Sequence, residues 1–295
     1  MPKIVWIFWL QGFESASPLV HVCVRSWEQR NPEWKIILLC ADNISDYLDD
    51  EFCNEVLALK LPHKKKANIL RLALIAHHGG VWVDADCFCA KPLDHWVYEA
   101  AQSGFFAFRF VDSDAWYSDT QQDLRSRIFS KTTDRIMANW FLAGKPYNYI
   151  CTELCREHFN LLKEAANGRK RFFGFVRRRL MKTFCRNAYL SSLMGSETFI
   201  RRLGGYPTFI FHYHFARLLR TSPKFKECWE QVPAISATEA LMFSKTLGQP
   251  IDEKFRSAVS GNDAPVYKFH ARRTTPEQSH ATTRYAWLRA NFRGE

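Results

Sequence analysis

The chain has 295 residues, 47% of them hydrophobic and 15% aromatic, enough to bury the core of one large domain and too apolar for a disordered chain. Its formal net charge of +11 points to an anionic partner: nucleic acid, a nucleotide, an acidic lipid surface or an acidic glycan. No apolar run reaches the roughly 18–20 residues that span a bilayer. The run Ile4–Leu10 is shorter and leads to Glu14 with no small-residue cleavage pattern, so a cytoplasmic protein is expected.

Lys3–Leu10 is apolar almost throughout and reads as a strand central in a sheet, ended by Gln11-Gly12. Pro18 opens a helix that runs to Trp27 or Arg30, with Leu19, Val22, Cys23 and Ser26 on one face, and Asn31-Pro32 stops it. Lys35–Cys40 is a second buried strand, and Ile44–Leu48 begins a short helical segment. A helix follows from Lys65 to His78, with Gly79 just past its end. Val81-Trp82-Val83, preceded by two glycines, is then a third buried strand. This β-α-β-α-β alternation predicts a parallel α/β sheet with crossover helices, whose ligands bind beyond the carboxyl ends of the strands.

Further on, Phe105–Phe110 and Ala138–Ala143 read as strands, and Tyr149–Leu162 as a helix. Ser196–Leu203 and Phe211–Arg220 also read as helices, Pro265–His270 as a late strand and Ala281–Phe292 as a basic terminal helix. Nine cysteines without a Cys-x-x-Cys pair signal no zinc site and suit a reducing compartment, where several serve as small buried hydrophobes. Cys87-Phe88-Cys89 is a close pair that does not by itself make a site.

Asp84-Ala85-Asp86 closes the third strand. Residues i and i+2 of an extended chain share a face, so the two carboxylates would repel unless a positive group lies between them. A hard divalent cation such as Mg²⁺ or Mn²⁺ is the natural partner, and a solvated acidic turn is the plain alternative. Trp9 also stands at a strand's carboxyl end, where it could offer a ring face to a base or serve as a core aromatic. Asn68 and Arg71 stand three apart on one helical face.

Three blocks in order carry a family likeness: Val5–Gly12, Ala67–Leu74 and Gly79–Asp86. Together they resemble the DxD glycosyltransferases of the capsular polysaccharide synthesis type, related to the mannosyltransferase-like family 32 and to the glucosylating toxins. Phe211–His214, Ser222-Pro223, Trp229 and Val232-Pro233 add to the likeness. It implies a single GT-A domain over residues 1–295, Rossmann-like, with a mostly parallel sheet flanked by helices. It also implies a nucleotide-sugar donor, Mn²⁺ or Mg²⁺, a glycan or lipid-linked glycan acceptor, and transfer with retention. Carried onto this chain, Asp86 would bind the metal, and Asp84 would approach the donor and reach the metal through water. Trp9 would stack on the base, Arg71 would contact sugar or phosphates, and Asn139 would hydrogen-bond the sugar. His270 is a candidate third metal ligand or phosphate contact. One departure stands out: the family usually has Asp where this chain has Asn68, and an amide cannot accept from two sides as a carboxylate does.

The bland alternatives concern mainly the basic residues. Lys64-Lys65-Lys66 reads as a solvated face or helix start, or as a diphosphate contact. His77-His78, His212 and His214 read as helix-end and packing residues. Within a basic helical insertion over 150–190, the apolar residues Phe172, Phe173, Val176, Leu180 and Phe184 would share a helical face beside arginines. That pattern predicts either peripheral contact with an anionic membrane or an ordinary packed helix with a basic outer side. Two other functions compete. A phosphatase using Asp-x-Asp as nucleophile would want the motif after the first strand. A non-catalytic binder of nucleotide-sugars or anionic glycans would show no transfer. No nucleic-acid module is legible.

Overall fold

The computed structural model describes residues 1–110, 136–167, 179, 188–203, 206–270 and 281–292. Its centre is a five-stranded sheet built from β1 (Ile4–Phe8), β2 (Lys35–Leu39), β3 (Gly80–Asp84), β5 (Phe105–Phe106) and β6 (Phe141–Gly144), in the order β2-β1-β3-β6-β5. β1 runs parallel to β2 and β3, whereas β6 is antiparallel to both β3 and β5. Four strands therefore point one way and β6 the other, a mostly parallel sheet as the alternation predicts. A two-stranded antiparallel ribbon, β4 (Cys87–Cys89) with β7 (Val266–Lys268), stands beside it. Val5, Trp6 and Ile7 of β1 are buried to within 1% of their surface, the signature of a strand covered on both faces.

Helix α1 (Pro18–Arg30) shows why so many of its residues are apolar. Val20, Val24 and Trp27 pack into the main core with the sheet. Leu19, Val22 and Cys23 pack into a second core with Phe88, Phe255, Tyr267, Tyr285 and Leu288. The helix is thus a shared wall between two hydrophobic cores. It also holds β4 by polar bonds: Trp27 Nε1 donates to Cys87 O at 2.8 Å, and Cys89 N donates to Ser26 Oγ at 2.8 Å.

Helix α2 (Asp50–Ala58) precedes α3 (His63–His78). In α3 every residue from Asn68 to Ala76 is buried, between the sheet and α5 (Tyr149–Asn167), which follows the short α4 (Val97–Ala100). The helix ends without a loop. Gly79 and Gly80 have φ of +66° and +87°, a region costly to residues with a Cβ, and turn the chain directly into β3. A Cβ on Gly80 would lie 2.6 Å from Ile4 O, so backbone packs on backbone here. Trp6 Nε1 seals the turn by donating to Gly79 O at 2.9 Å.

The remaining helices are α6 (Ala188–Leu193), α7 (Glu197–Leu203), α8 (Ile210–Thr221), α9 (Pro223–Glu230), α10 (Ala237–Ala240), α11 (Glu253–Val259) and α12 (Arg284–Asn291). The sequence reading did not anticipate β4, α4, α9, α10 and α11. Ser222 and Asp252 cap α9 and α11, their side chains accepting from Phe225 N and Phe255 N. The expected strand over 105–110 is a ladder only at Phe105–Phe106. Beyond it, Arg109 makes isolated bridges to Met137 and Ser236 instead of pairing with a strand. Most of the basic stretch expected to meet a membrane lies outside the described residues. Among the described residues no helix is long and apolar enough to cross a membrane.

Candidate functional site

Asp84 and Trp9 leave the sheet at the same edge. β1 and β3 are parallel with Phe8 opposite Asp84, so the residue after Phe8 and the last residue of β3 emerge together at strand carboxyl ends. The turn from Asp84 to Asp86 is clamped by backbone on both sides. Asp84 N donates to Trp140 O at 2.8 Å, and Phe269 N donates to Asp86 O at 2.9 Å. The extended-chain expectation for the two carboxylates needs correcting here. β3 stops at Asp84, and Ala85 and Asp86 form a turn into β4. The side chains are brought together by that turn and by what they bind.

What they bind is Lys268. Its Nζ lies 3.1 Å from Asp84 Oδ2 and in close contact with Asp86 Oδ1. Lys268 is only 8% exposed and comes from β7, where it pairs with Cys87, the residue after Asp86. Burial pulls its ammonium toward neutrality, but the charges of Asp84 and Asp86 outweigh that and hold it above the ordinary lysine value. A positive group does lie between the two carboxylates, and the chain itself supplies it. The stretch Pro265–His270 reads as a late strand in the sequence, but nothing local there says that it pairs with the strand following Asp86.

On the other side of Asp84, Arg71 closes the network. Arg71 Nη1 lies 3.1 Å from Asp84 Oδ1 and also donates to Asn139 O, while Arg71 Nε donates to Ala67 O at 3.2 Å. Asn139 Nδ2 donates to Asn68 Oδ1 at 3.2 Å. Asn68 and Arg71 are 5% and 4% exposed, so their shared helical face looks into the protein and onto the edge of the sheet. Trp82 joins through Nε1, which donates to Asp84 Oδ1 at 3.2 Å, and its ring lies 5.1 Å below the Arg71 guanidinium. Burial would raise the Asp84 carboxyl, but Arg71 and Lys268 prevail and hold it far below the usual carboxylate range. Asn68, Arg71, Asp84 and Asp86 are thus one contiguous set of contacts with Asn139 and Lys268, which come from far along the chain.

Trp9 is partly buried against the main core at the start of the same edge. His270 follows β7, two residues beyond Lys268 (270 − 268 = 2). Among the described residues no group of three or more His, Cys, Asp or Glu side chains gathers to hold a metal ion. The carboxylates that do come together at this edge are Asp84 and Asp86. Two hard carboxylates converging on one cation suit Mg²⁺ or Mn²⁺, which keeps its other positions for water and phosphate.

Lys65 departs from the solvated face expected of Lys64-Lys65-Lys66. It is buried, donates to Thr208 O and lies 5.8 Å from the Tyr206 ring centre, and burial with the Lys64 charge lowers it to about 8. His214 is buried and ring-stacked on His158, with their Nδ1 atoms 3.2 Å apart. It is the packing residue expected of it.

The family model described as capsular polysaccharide synthesis protein matches residues 1–175, more than half of the 295. The chain belongs to that family. The match contains Trp9, Asn68, Arg71, Asp84, Asp86 and Asn139; Lys268 and His270 lie beyond it. Among curated proteins, the chain is 25% identical over 196 residues to the O-glycosyltransferase braB of Annulohypoxylon truncatum, covering 61% of this chain and 41% of that one. It is 27% identical over 164 residues to an uncharacterized glycosyltransferase of Acanthamoeba polyphaga mimivirus, covering 53% and 64%. The chain thus spans less than two thirds of the length of either relative. Among solved structures, mouse xyloside xylosyltransferase 1 in its apo form aligns with a TM-score of 0.44 and 9% identity over 94% of this chain and all of that one.

Proposed function

We propose that this family member is a glycosyltransferase that moves a sugar from a nucleotide-sugar donor to a cell-surface glycan of the capsular or lipopolysaccharide type, with retention. The observation that carries this is the contact network at the sheet's carboxyl edge, in which Asp84 is gripped by Arg71 on one side and Lys268 on the other. The reaction breaks the bond from the anomeric carbon to the diphosphate oxygen and sends the electron pair to the diphosphate. The acceptor hydroxyl oxygen takes its place at that carbon, on the same face, and the hydroxyl proton leaves to the departing diphosphate. Negative charge grows on the leaving group, so the catalyst must present fixed positive charge there without waiting for solvent to reorganise.

Within that scheme Arg71 is a positioning residue. Its guanidinium is spent on Asp84 and Asn139 O, so it fixes the carboxylate and the chain before β6 rather than pointing freely at a ligand. Asn68 and Asn139 present an amide pair at the same edge for sugar hydroxyls. Trp9 offers its ring to the base at the neighbouring strand end. Mn²⁺ or Mg²⁺ would be held by Asp86 and Asp84, and when bound it would supply charge to the diphosphate.

The test is a transfer and donor-hydrolysis assay over a panel of nucleotide-sugars, preceded by thermal-shift screening with Mn²⁺. One nucleotide-sugar should raise the melting temperature, and Asp86→Ala should abolish both transfer and hydrolysis. Stabilisation by a nucleoside diphosphate with no transfer to any glycan would leave a binding protein instead. An active Asp86→Ala enzyme would remove the carboxylate from the site.

A further inference from the structure

Among the described residues, two cations, Arg71 and Lys268, are in direct contact with the two carboxylates Asp84 and Asp86. Both cations are almost fully buried, Arg71 at 4% and Lys268 at 8% exposure. The thiol of Cys87, opposite Lys268, is held protonated by burial and adds no charge. A divalent ion arriving alone would bring two positive charges to carboxylates that already hold these two buried cations. It would also have to take the oxygens that Lys268 Nζ occupies. Both costs fall if the ion arrives with a diphosphate, whose negative charge balances the metal and whose oxygens accept the displaced ammonium.

We infer that Lys268 is the resident counter-ion of the Asp84–Asp86 pair and excludes a divalent cation until a nucleoside diphosphate arrives, when its ammonium passes from the carboxylates to a phosphate oxygen. The inference rests on the donor-site assignment above and adds a coupling to it: metal and nucleotide bind as one unit, and Lys268 enforces that unity. No bond is made or broken in the exchange, and the ammonium stays protonated throughout. The backbone supports such a swap. Phe269 N holds Asp86 O and β4 holds β7, so the lysine's main chain is fixed while its long side chain is free to re-aim over a short distance.

The experiment is a Mn²⁺ titration of the full chain, following free Mn²⁺ by electron paramagnetic resonance, alone and with UDP or GDP. Wild type should bind Mn²⁺ roughly tenfold or more tightly when the matching nucleoside diphosphate is present. Lys268→Met removes the cation shared by the two carboxylates, leaving Asp84 with Arg71, and should bind Mn²⁺ alone roughly tenfold more tightly than wild type, with most of the nucleotide coupling gone. Lys268→Arg, which keeps the charge, should bind Mn²⁺ alone as weakly as wild type, and it carries the test if the methionine variant does not fold. Equal Mn²⁺ affinity in wild type and Lys268→Met, or an arginine variant that binds Mn²⁺ alone as tightly as wild type binds it with nucleotide, overturns the inference. Failure of the donor-site assignment looks different: no nucleoside diphosphate binds to any variant, whatever Mn²⁺ does.

Discussion

Arg71 Nη1 stands 3.1 Å from Asp84 Oδ1, a contact between the third turn of one helix and the last residue of the strand that follows it. Only Gly79 separates the two elements, so the ion pair is set by a helix that reverses into a strand with no slack. The site's geometry therefore depends on a backbone junction some distance from its chemistry, and the two can be perturbed separately.

Arg71→Met should remove transfer activity and destabilise the fold by about 3 kcal/mol, because it leaves Asp84 with one cation and Asn139 O without its donor. Arg71→Lys keeps the charge but loses the planar fork and should recover stability better than activity. Urea melts alongside turnover measurements separate the two effects. Loss of activity with unchanged stability in both variants would show that Arg71 acts on the ligand rather than by holding Asp84.

Gly80→Ala places a Cβ 2.6 Å from Ile4 O in a residue with φ of +87°. Neither strand nor helix can yield here without disturbing Trp6, whose indole is bonded to Gly79 O. The expected cost is about 2 kcal/mol or more, read as a lower denaturation midpoint with an unchanged slope.

Asn68→Asp tests the place where the family resemblance expects a carboxylate. A carboxylate there still accepts from Asn139 Nδ2, so the fold should persist. It adds a negative charge at a position only 5% exposed, on the same helical face as Arg71. The expected outcome is a changed KM for the donor with kcat within about threefold of wild type. Asn68→Leu orphans the Asn139 amide and should lower stability by about 1–3 kcal/mol. A kcat that collapses in the aspartate variant would place residue 68 at the reacting centre instead.

Lys65 gives a pH signature. Its folded value is lowered to about 8, by burial first and Lys64 second, against about 10.5 in the unfolded chain. Between these values the unfolded chain holds more protons, so this residue makes stability rise as pH rises from about 8 to about 10.5. Below that window both states are charged and the full cost of burying the ammonium is present; above it both are neutral. The stability difference between wild type and Lys65→Met should shift in favour of wild type across the window by up to about 3 kcal/mol. Urea midpoints at pH 7.5 and pH 10 measure it, and a difference independent of pH would mean that Lys65 stays charged inside.

Much of this protein is legible from its sequence because the relevant forces are local. The apolar runs at Val5–Phe8 and Val81–Val83 and the helical spacing between Pro18 and Arg30 give strands and helix wherever the rest of the chain goes. Paired glycines after His78 force the helix-to-strand junction, and Asp84-Ala85-Asp86 at a strand end marks the site edge. Two kinds of element escaped for two reasons. Helices α9, α10 and α11 are short and fixed by packing: Phe225, Trp229, Ala237 and Ala240 enter the main core, and Phe255, Ala258 and Val259 the second. Lys65 carries a charge in a run of three, and local pattern makes that run a surface; only the approach of Thr208 O encloses the middle lysine.

What the sequence by itself determined is the α/β alternation and the shared helical face of Asn68 and Arg71, since each follows from spacing along the local chain. What only the tertiary structure decided is the cation that rests between Asp84 and Asp86. Lys268 lies 182 residues beyond Asp86 and reaches it through an antiparallel pairing of β7 with β4. Register between strands so far apart is set by the packing of whole cores, which no short stretch of sequence encodes.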